Sequence, residues 1–295
     1  MHSNKLYHYS NDESIESIIK TKQIWLNHIS NYNKCNNIEM FLEPYYFEVV
    51  EKLKKEHPEN MFYKQLPDQF KSIYAEGEIK ELIDLVFENS RMKEYDYELN
   101  VGYIIPFDVK CYILCLSADI NNSYLQSYYS LGSDRVLEFD TNKLIKSCEK
   151  QIIEKVQKLE DNQAISNSIK LGNVIRKKTR HKDYISLKKD YIEFKEVIYK
   201  KEDKINKIRE IINFYNDRIA ISILDVEYHK YVNLVMYALF LEALFFKEEG
   251  FYLEQESRLV IMCPTAILES LAPNKNVIGE KIAIPLEDSM EIINL

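Results

Sequence analysis

Two glutamates near the end of the chain, Glu254 and Glu256, have the type and spacing best suited to chemistry. They lie two apart in residues 251–262, a segment that begins polar, ends apolar and is predicted to be a strand. Residues two apart in a strand point to the same face, so both carboxylates would concentrate negative charge there. Arg258 falls on that face and would moderate their repulsion. The alternative is a solvated edge strand whose glutamates face water.

The composition indicates a globular protein and excludes two common nucleotide-binding loops. The chain has 295 residues, a length that suits one large domain or two modest ones. Of these residues 46% are hydrophobic and 29% charged, which is ordinary for a globular protein. It contains six glycines and has neither a GxGxxG nor a GxxxxGK[ST] motif. The five cysteines form no CxxC pair, so we expect no disulfide framework, no metal site and a cytoplasmic location.

No segment of the sequence is predicted to enter a membrane. Residues 1–5 are polar and no apolar signal region follows them. The longest apolar run, residues 232–246, is interrupted by Asn233 and Glu242, and it is too short and polar to span a bilayer. A buried helix is the expected structure of this run.

A basic segment covers residues 170–209, with 14 Lys and Arg against 6 Asp and Glu, in a chain whose net charge is −8. Such a segment could face the phosphates of a nucleic acid, and Tyr184 and Tyr191 could stack on bases. The alternative is a solvated helical hairpin of mixed charge. The candidate phosphate contacts are Arg176, Lys177, Lys178, Arg180 and Lys182.

The spacing of apolar residues predicts a mixture of strands and helices, and therefore an α+β fold. Strands are expected at residues 6–9, 23–27, 110–117, 135–140, 192–200, 251–262, 281–285 and 290–293. Helices are expected at residues 12–22, 39–57, 65–94, 141–160, 203–214 and 218–247, with a short helix or turn at 123–130. We expect one domain over residues 1–295, with helical insertions at about 39–100 and 141–190.

Six short motifs follow one another in an order that resembles a large bacterial domain family of unassigned function. Members of that family read LYHYT, CFS, SMWxxYA, GFD and FxxExEWRLV in this order. The resemblance extends from residue 6 to about residue 284, but two family tryptophans are replaced by Gln126 and Ser257. The motifs are LYHYS at 6–10, CLS at 115–117, YLQSYYS at 124–130, VLEFD at 136–140, VIY at 197–199 and EQESRLV at 254–260.

That family in turn looks like the ADP-ribosyltransferase superfamily. The resemblance implies a split antiparallel β-sheet core with large helical insertions. It implies NAD as substrate and no metal. The residues that the resemblance assigns to NAD binding are His8, Tyr9, Ser117, Tyr128 and Tyr129, and the catalytic residues that it assigns are Glu256 and Glu254.

In such an enzyme Glu256 would stabilise the positive charge that develops on the ribose when the bond to nicotinamide breaks. His8 would hydrogen-bond the other ribose, Tyr129 would stack on nicotinamide, and Glu254 would orient or deprotonate the acceptor.

The function implied by the resemblance is NAD-dependent ADP-ribosylation of an intracellular macromolecule, either a protein or a nucleic acid. The protein would then act as a toxin or an anti-phage defence effector, with an antitoxin or another defence-system component as a partner. Two alternatives remain from the sequence. One is a glycohydrolase that only consumes NAD, and the other is a binding module that keeps the fold without the activity.

Overall fold

The computed structural model describes residues 5–28, 38–74, 93–96, 101–104, 109–160, 192–219, 235, 238–239, 242–264, 281–286 and 289–294. The chain divides into two compact units. Unit 1 comprises Met1–Asn31, Lys110–Val197 and Tyr252–Leu295, and unit 2 comprises Tyr32–Val109 and Ile198–Phe251. Most of the first predicted helical insertion falls in unit 2. That residues 1–295 form a single domain stays a prediction.

The described residues form ten strands and six α-helices. The strands are β1 Lys5–His8, β2 Gln23–His28, β3 Lys93–Asp96, β4 Val101–Ile104, β5 Val109–Ser117, β6 Arg135–Asp140, β7 Ile192–Glu196, β8 Glu256–Pro264, β9 Lys281–Pro285 and β10 Met290–Asn294. The helices are α1 Asp12–Thr21, α2 Ile38–Glu56, α3 Met61–Tyr74, α4 Ser123–Leu125, α5 Thr141–Glu160 and α6 Lys201–Ile219. A π-helical turn, Gln126–Ser130, extends α4, and a 3₁₀ helix, Glu249–Glu254, precedes β8.

Eight of the strands form one mostly antiparallel sheet, which confirms the α+β class. The strand order is β10-β6-β1-β5-β2-β9, and β8 pairs with both β5 and β7. In the register of β1 and β5, Tyr7 lies opposite Ser117. β5 therefore joins the strand of the first motif to the strand of the last.

One face of this sheet carries the main hydrophobic core of unit 1. Alternate residues of β5 (Tyr112, Leu114 and Leu116) point into it, together with Leu259 and Ile261 of β8. Helix α1 covers part of this face with Ile15 and Ile18. Its N-cap is Asn11, whose side chain accepts a hydrogen bond from the Ser14 amide at 2.9 Å.

A smaller apolar cluster lies on the opposite face of the sheet. Tyr9, Leu125 and Val136 form it, and Tyr7 and Ile293 pack against it. Because Leu125 belongs to α4, this helix lies on the face that Tyr7 and Ser117 share. Ser117, Glu256 and Arg258 alternate with core residues of their strands, so their side chains point away from the main core.

Unit 2 contains α2, α3 and α6. The buried hydroxyl of Tyr46 in α2 donates a hydrogen bond to the Leu66 carbonyl of α3 at 2.9 Å. The Tyr63 hydroxyl of α3 donates to Asn213 Oδ1 of α6 at 3.2 Å. These bonds satisfy the polar ends of side chains whose rings are packed inside the unit.

Two of the predicted helices differ from the structure within the described residues. The helix predicted at residues 65–94 begins earlier, as α3, and its last two residues belong to β3 because they pair with β4. The helix predicted to end at residue 247 gives way to a turn, and Phe246 bridges to Ile198. Seven of the fifteen residues of the apolar run at 232–246 lie outside the described residues. None of the helices in the described ranges is long and apolar enough to cross a bilayer.

Lys204 of α6 is a buried lysine that contacts Lys247, the residue after this apolar run. Its ammonium donates a hydrogen bond to the Lys247 carbonyl at 2.6 Å and lies 5.1 Å from the centroid of the Tyr45 ring. Burial lowers the pKa of Lys204 to about 8, while Glu249 and Glu248 act in the opposite direction. The charged ammonium is therefore less favourable in the folded chain than in water.

We predict that the stability of unit 2 depends on pH through Lys204. Between about pH 8 and the ordinary lysine pKa of 10.5, the unfolded chain keeps the Lys204 proton that the folded chain has released. Stability rises with pH wherever the unfolded state binds more protons, so this contribution increases across that window. Urea unfolding from pH 7.5 to 9.5 should show wild type gaining stability relative to Lys204→Met. The Lys207→Met variant, altered on the same helix, should follow wild type. If the free energy of unfolding changed with pH in the same way for wild type and Lys204→Met, the prediction would be contradicted.

Candidate active site

Glu256 and Arg258 form a buried ion pair on β8. Arg258 donates from Nε to Glu256 Oε1 at 2.7 Å and from Nη2 to Oε2 at 3.3 Å. The two side chains are only 2% and 4% exposed. They are two residues apart on one strand and therefore share a face, as the sequence predicts. A charge-assisted pair of this kind is stronger than a hydrogen bond between neutral groups, and here it lies where water barely reaches.

Glu254 does not share this strand face, and the prediction that it would is wrong. Residues 251–254 are helical, β8 begins at Glu256, and Gln255 between them has a φ of +46°. That left-handed conformation breaks the alternation on which the prediction rested. The Glu254 side chain is nevertheless buried, so it is not a solvated edge residue either.

The segment before β8 is fixed by hydrogen bonds from the end of β5 and the loop after it. Three consecutive carbonyls accept these bonds. Asn122 Nδ2 donates to Leu253 O at 2.6 Å, and Ser117 Oγ donates to Glu254 O at 2.9 Å. The Ala118 amide donates to Gln255 O at 3.2 Å. We call these three bonds the carbonyl clamp. The clamp sets where β8 begins and so where Glu256 lies.

His8 is the last residue of β1 and is partly buried. Its Nδ1 lies 3.4 Å from the Cys115 carbonyl, which can only accept, so Nδ1 carries the proton and Nε2 is an acceptor in the neutral ring. Desolvation lowers the pKa of His8, with a smaller opposing effect from the Cys115 carbonyl. Tyr7 lies opposite Ser117, and neighbouring residues of a strand point to opposite faces. His8 therefore points to the face of the main core, next to Leu137, and away from the face of Ser117.

Tyr9 supports the site from inside the protein. It is 7% exposed, and its hydroxyl donates to the Asp119 carbonyl at 2.6 Å and accepts from the Asn122 amide at 3.2 Å. Burial raises the pKa of Tyr9 to about 12, so the phenol is neutral at physiological pH. With both bonds made inside the protein, Tyr9 anchors the loop that carries Asn122.

Tyr128 and Tyr129 lie in the π-helical turn and are exposed. The Tyr128 ring is tilted against that of Tyr124, with the centroids 4.6 Å apart, and is 65% exposed. Tyr129 is 50% exposed. Since Asn122 caps α4 and also binds Leu253, the tyrosine turn and the segment before Glu256 are both tied to one residue. π-helical turns of this kind often accompany functional sites.

The candidate phosphate contacts Arg176, Lys177, Lys178, Arg180 and Lys182 lie outside the described residues. In the described part of the basic segment, several cations are paired with carboxylates. Lys195 binds Glu193 at 3.0 Å and Lys201 binds Glu48 at 2.7 Å. Across the described ranges, no group of three or more His, Cys, Asp or Glu side chains is arranged to hold a metal ion.

The structure identifies Asn122 as a site residue that the sequence did not reveal. Its amide nitrogen holds Leu253, while its Oδ1 accepts from the Leu125 amide at 3.0 Å and so caps α4. An asparagine before a short helix is a recognisable capping signal. Its bond to a residue 131 positions away leaves no local pattern.

Comparison with known proteins found no matching family model, no matching curated protein and no matching solved structure.

We predict that Asn122→Ala destabilises unit 1 by about 1–3 kcal/mol, because the variant loses a helix cap and leaves the Leu253 carbonyl without this donor. Urea unfolding followed by circular dichroism measures the change. The matched control is Asn121→Ala, since Asn121 is the exposed neighbour of Asn122. The free energy of unfolding of this variant should remain within about 0.5 kcal/mol of wild type. Equal effects of the two substitutions would contradict the role assigned to Asn122.

Proposed function

We propose that this protein is an NAD-dependent ADP-ribosyltransferase with an ADP-ribosyltransferase-like fold. The observation that carries the proposal is the Glu256 carboxylate, buried and paired with Arg258 at the start of β8. β8 pairs with β5, which ends at Ser117, and β5 pairs with β1, which ends at His8. Three of the residues that the resemblance assigns thus lie on three neighbouring strands, with Ser117 and Glu256 on one face of the sheet and His8 on the other.

The reaction begins with cleavage of the bond between nicotinamide and ribose C1′. The bonding electron pair leaves with the ring nitrogen, which turns the cationic pyridinium of NAD into neutral nicotinamide. Positive charge then develops at C1′ and the ribose ring oxygen, as in glycoside cleavage. A fixed carboxylate stabilises that charge without having to reorganise, and Glu256 supplies it. The acceptor forms the new bond to C1′ and loses a proton.

The other residues suit the binding of NAD hydroxyls and its flat ring. Alternation places His8 on the face opposite Glu256, so we propose only that its neutral Nε2 is an acceptor at the end of β1, and its assignment to NAD binding rests on the resemblance. The exposed ring of Tyr129 offers a stacking surface for nicotinamide. The buried Ser117 hydroxyl donates to Glu254 O and accepts from the Asp119 amide at 3.2 Å, so it supports the segment before Glu256, and its part in NAD binding rests on the resemblance.

We propose a macromolecule as the acceptor, with Glu254 as the residue that orients it or takes its proton. Incubation of the protein with NAD labelled on the adenylate, together with cell lysate, tests this assignment. Release of bound label by protease identifies a protein acceptor, and release by nuclease identifies a nucleic acid. Label found only in free ADP-ribose identifies a glycohydrolase instead. Unchanged NAD identifies a binding module.

We predict that Glu256→Gln lowers the rate of nicotinamide release by about 100- to 1,000-fold, since it removes the charge that stabilises the transition state. Chromatographic measurement of nicotinamide gives the rate. A second variant, Glu256→Asp, keeps the negative charge but moves it back by one methylene. Because Arg258 still has a carboxylate partner in this variant, a lower rate of nicotinamide release cannot be caused by an unpaired Arg258 alone. We expect its rate to be lower than that of wild type as well.

The matched control is Glu193→Gln, because Glu193 lies on the neighbouring strand β7 in an ion pair with Lys195. Its rate should equal that of wild type. Full activity of Glu256→Gln, with the folded state verified by circular dichroism, would overturn the assignment of Glu256.

A further inference from the structure

Arg258 is the largest of the fully buried side chains among the described residues. A guanidinium is rarely buried to this degree unless it is paired, and here it pairs with Glu256. A pair of buried charges is a weak source of stability, because removing both charges from water offsets most of their attraction. The position of Arg258 within an apolar strand therefore calls for a reason other than stability.

The geometry of the pair gives that reason. Two N–H groups of the planar guanidinium, at Nε and Nη2, meet the two oxygens of the Glu256 carboxylate. Such a fork fixes the plane of the carboxylate as well as its distance, which a lysine ammonium does not do.

The neighbouring strand is consistent with this pairing. Lys195 lies opposite Arg258 in the β7–β8 register, and its ammonium binds Glu193 at 3.0 Å. The Lys195 ammonium thus forms an ion pair within β7, and the Arg258 guanidinium forms one with Glu256 within β8. Arg135 offers a contrast, since it binds Asp12 and Glu16 at the surface, where water screens the charges.

We infer that Arg258 is a positioning residue that fixes the plane of the Glu256 carboxylate for the reaction. This inference rests on the proposed NAD chemistry. Arg258 itself touches neither substrate nor the reacting atoms. It acts through Glu256, whose carboxylate must face ribose C1′ when charge develops there.

The test compares Arg258→Lys with wild type and with Arg135→Lys in steady-state nicotinamide release. Arg258→Lys should lower kcat by about 10- to 100-fold, since a small misplacement of a catalytic group costs that much. Its KM for NAD should stay within about twofold, because the lost interaction acts in the transition state. Arg135→Lys should match wild type in both constants.

A double-substitution cycle separates positioning from general damage. In the Glu256→Gln background, Arg258→Lys should have no further effect on kcat, because the group it positions is absent. An equal loss in both backgrounds would show that Arg258 matters only for the fold and would overturn the inference. An unchanged kcat of the Arg258→Lys single variant would also overturn it.

A spectroscopic readout keeps the inference separate from the proposed function. The side-chain carboxyl carbon of Glu256, assigned by its absence in Glu256→Gln, is followed by NMR in protein labelled with carbon-13 glutamate. Its signal should move in Arg258→Lys and stay in place in Arg135→Lys. If wild type releases no nicotinamide, the proposed function fails while this signal still reports on the pairing. An unmoved signal in Arg258→Lys shows that Arg258 does not set the carboxylate and overturns the inference.

Discussion

The carbonyl clamp is the constraint on which the rest of the site depends. Three donors at the end of β5 and in the loop after it hold the carbonyls of residues 253–255, and β8 begins directly afterwards. A buried backbone carbonyl needs a partner, so the clamp satisfies the carbonyl of the buried Glu254 and also fixes the chain on either side of it. Because Gln255 has a left-handed conformation, the segment can turn from helix into strand within one residue. Glu256 is the first residue of β8 after this turn, so the clamp determines its position.

From that point the site extends in two directions. Along β8, Arg258 matches the charge of Glu256 inside a strand that is buried on both faces. Through Asn122, the clamp continues into α4 and the π-helical turn, which presents Tyr128 and Tyr129 at the surface. Buried charge and exposed aromatic rings are thus tied to one short loop. This combination suits a substrate with a flat ring and a sugar that becomes cationic.

Much of the fold was predictable from the sequence because the apolar pattern is regular. β6, α5 and β9 begin and end where the pattern predicts, since their apolar residues repeat with the period of a strand or a helix. The break at Gln255 was not predictable, because no local preference places glutamine at positive φ. The conformation of Gln255 depends on a hydrogen bond to its carbonyl from the Ala118 amide, 137 residues earlier in the chain. The pairing of Glu256 with Arg258 was foreseeable from spacing alone, whereas the burial of the pair required the sheet.

The most direct test of the central claim is a crystal structure of the Glu256→Gln variant with NAD, since this variant should bind NAD without cleaving it. The account predicts intact NAD with the nicotinamide ribose within hydrogen-bonding distance of the substituted side chain and its ring against the tyrosine turn. NAD bound elsewhere in the protein, or no bound NAD at concentrations that saturate known NAD enzymes, would contradict the account.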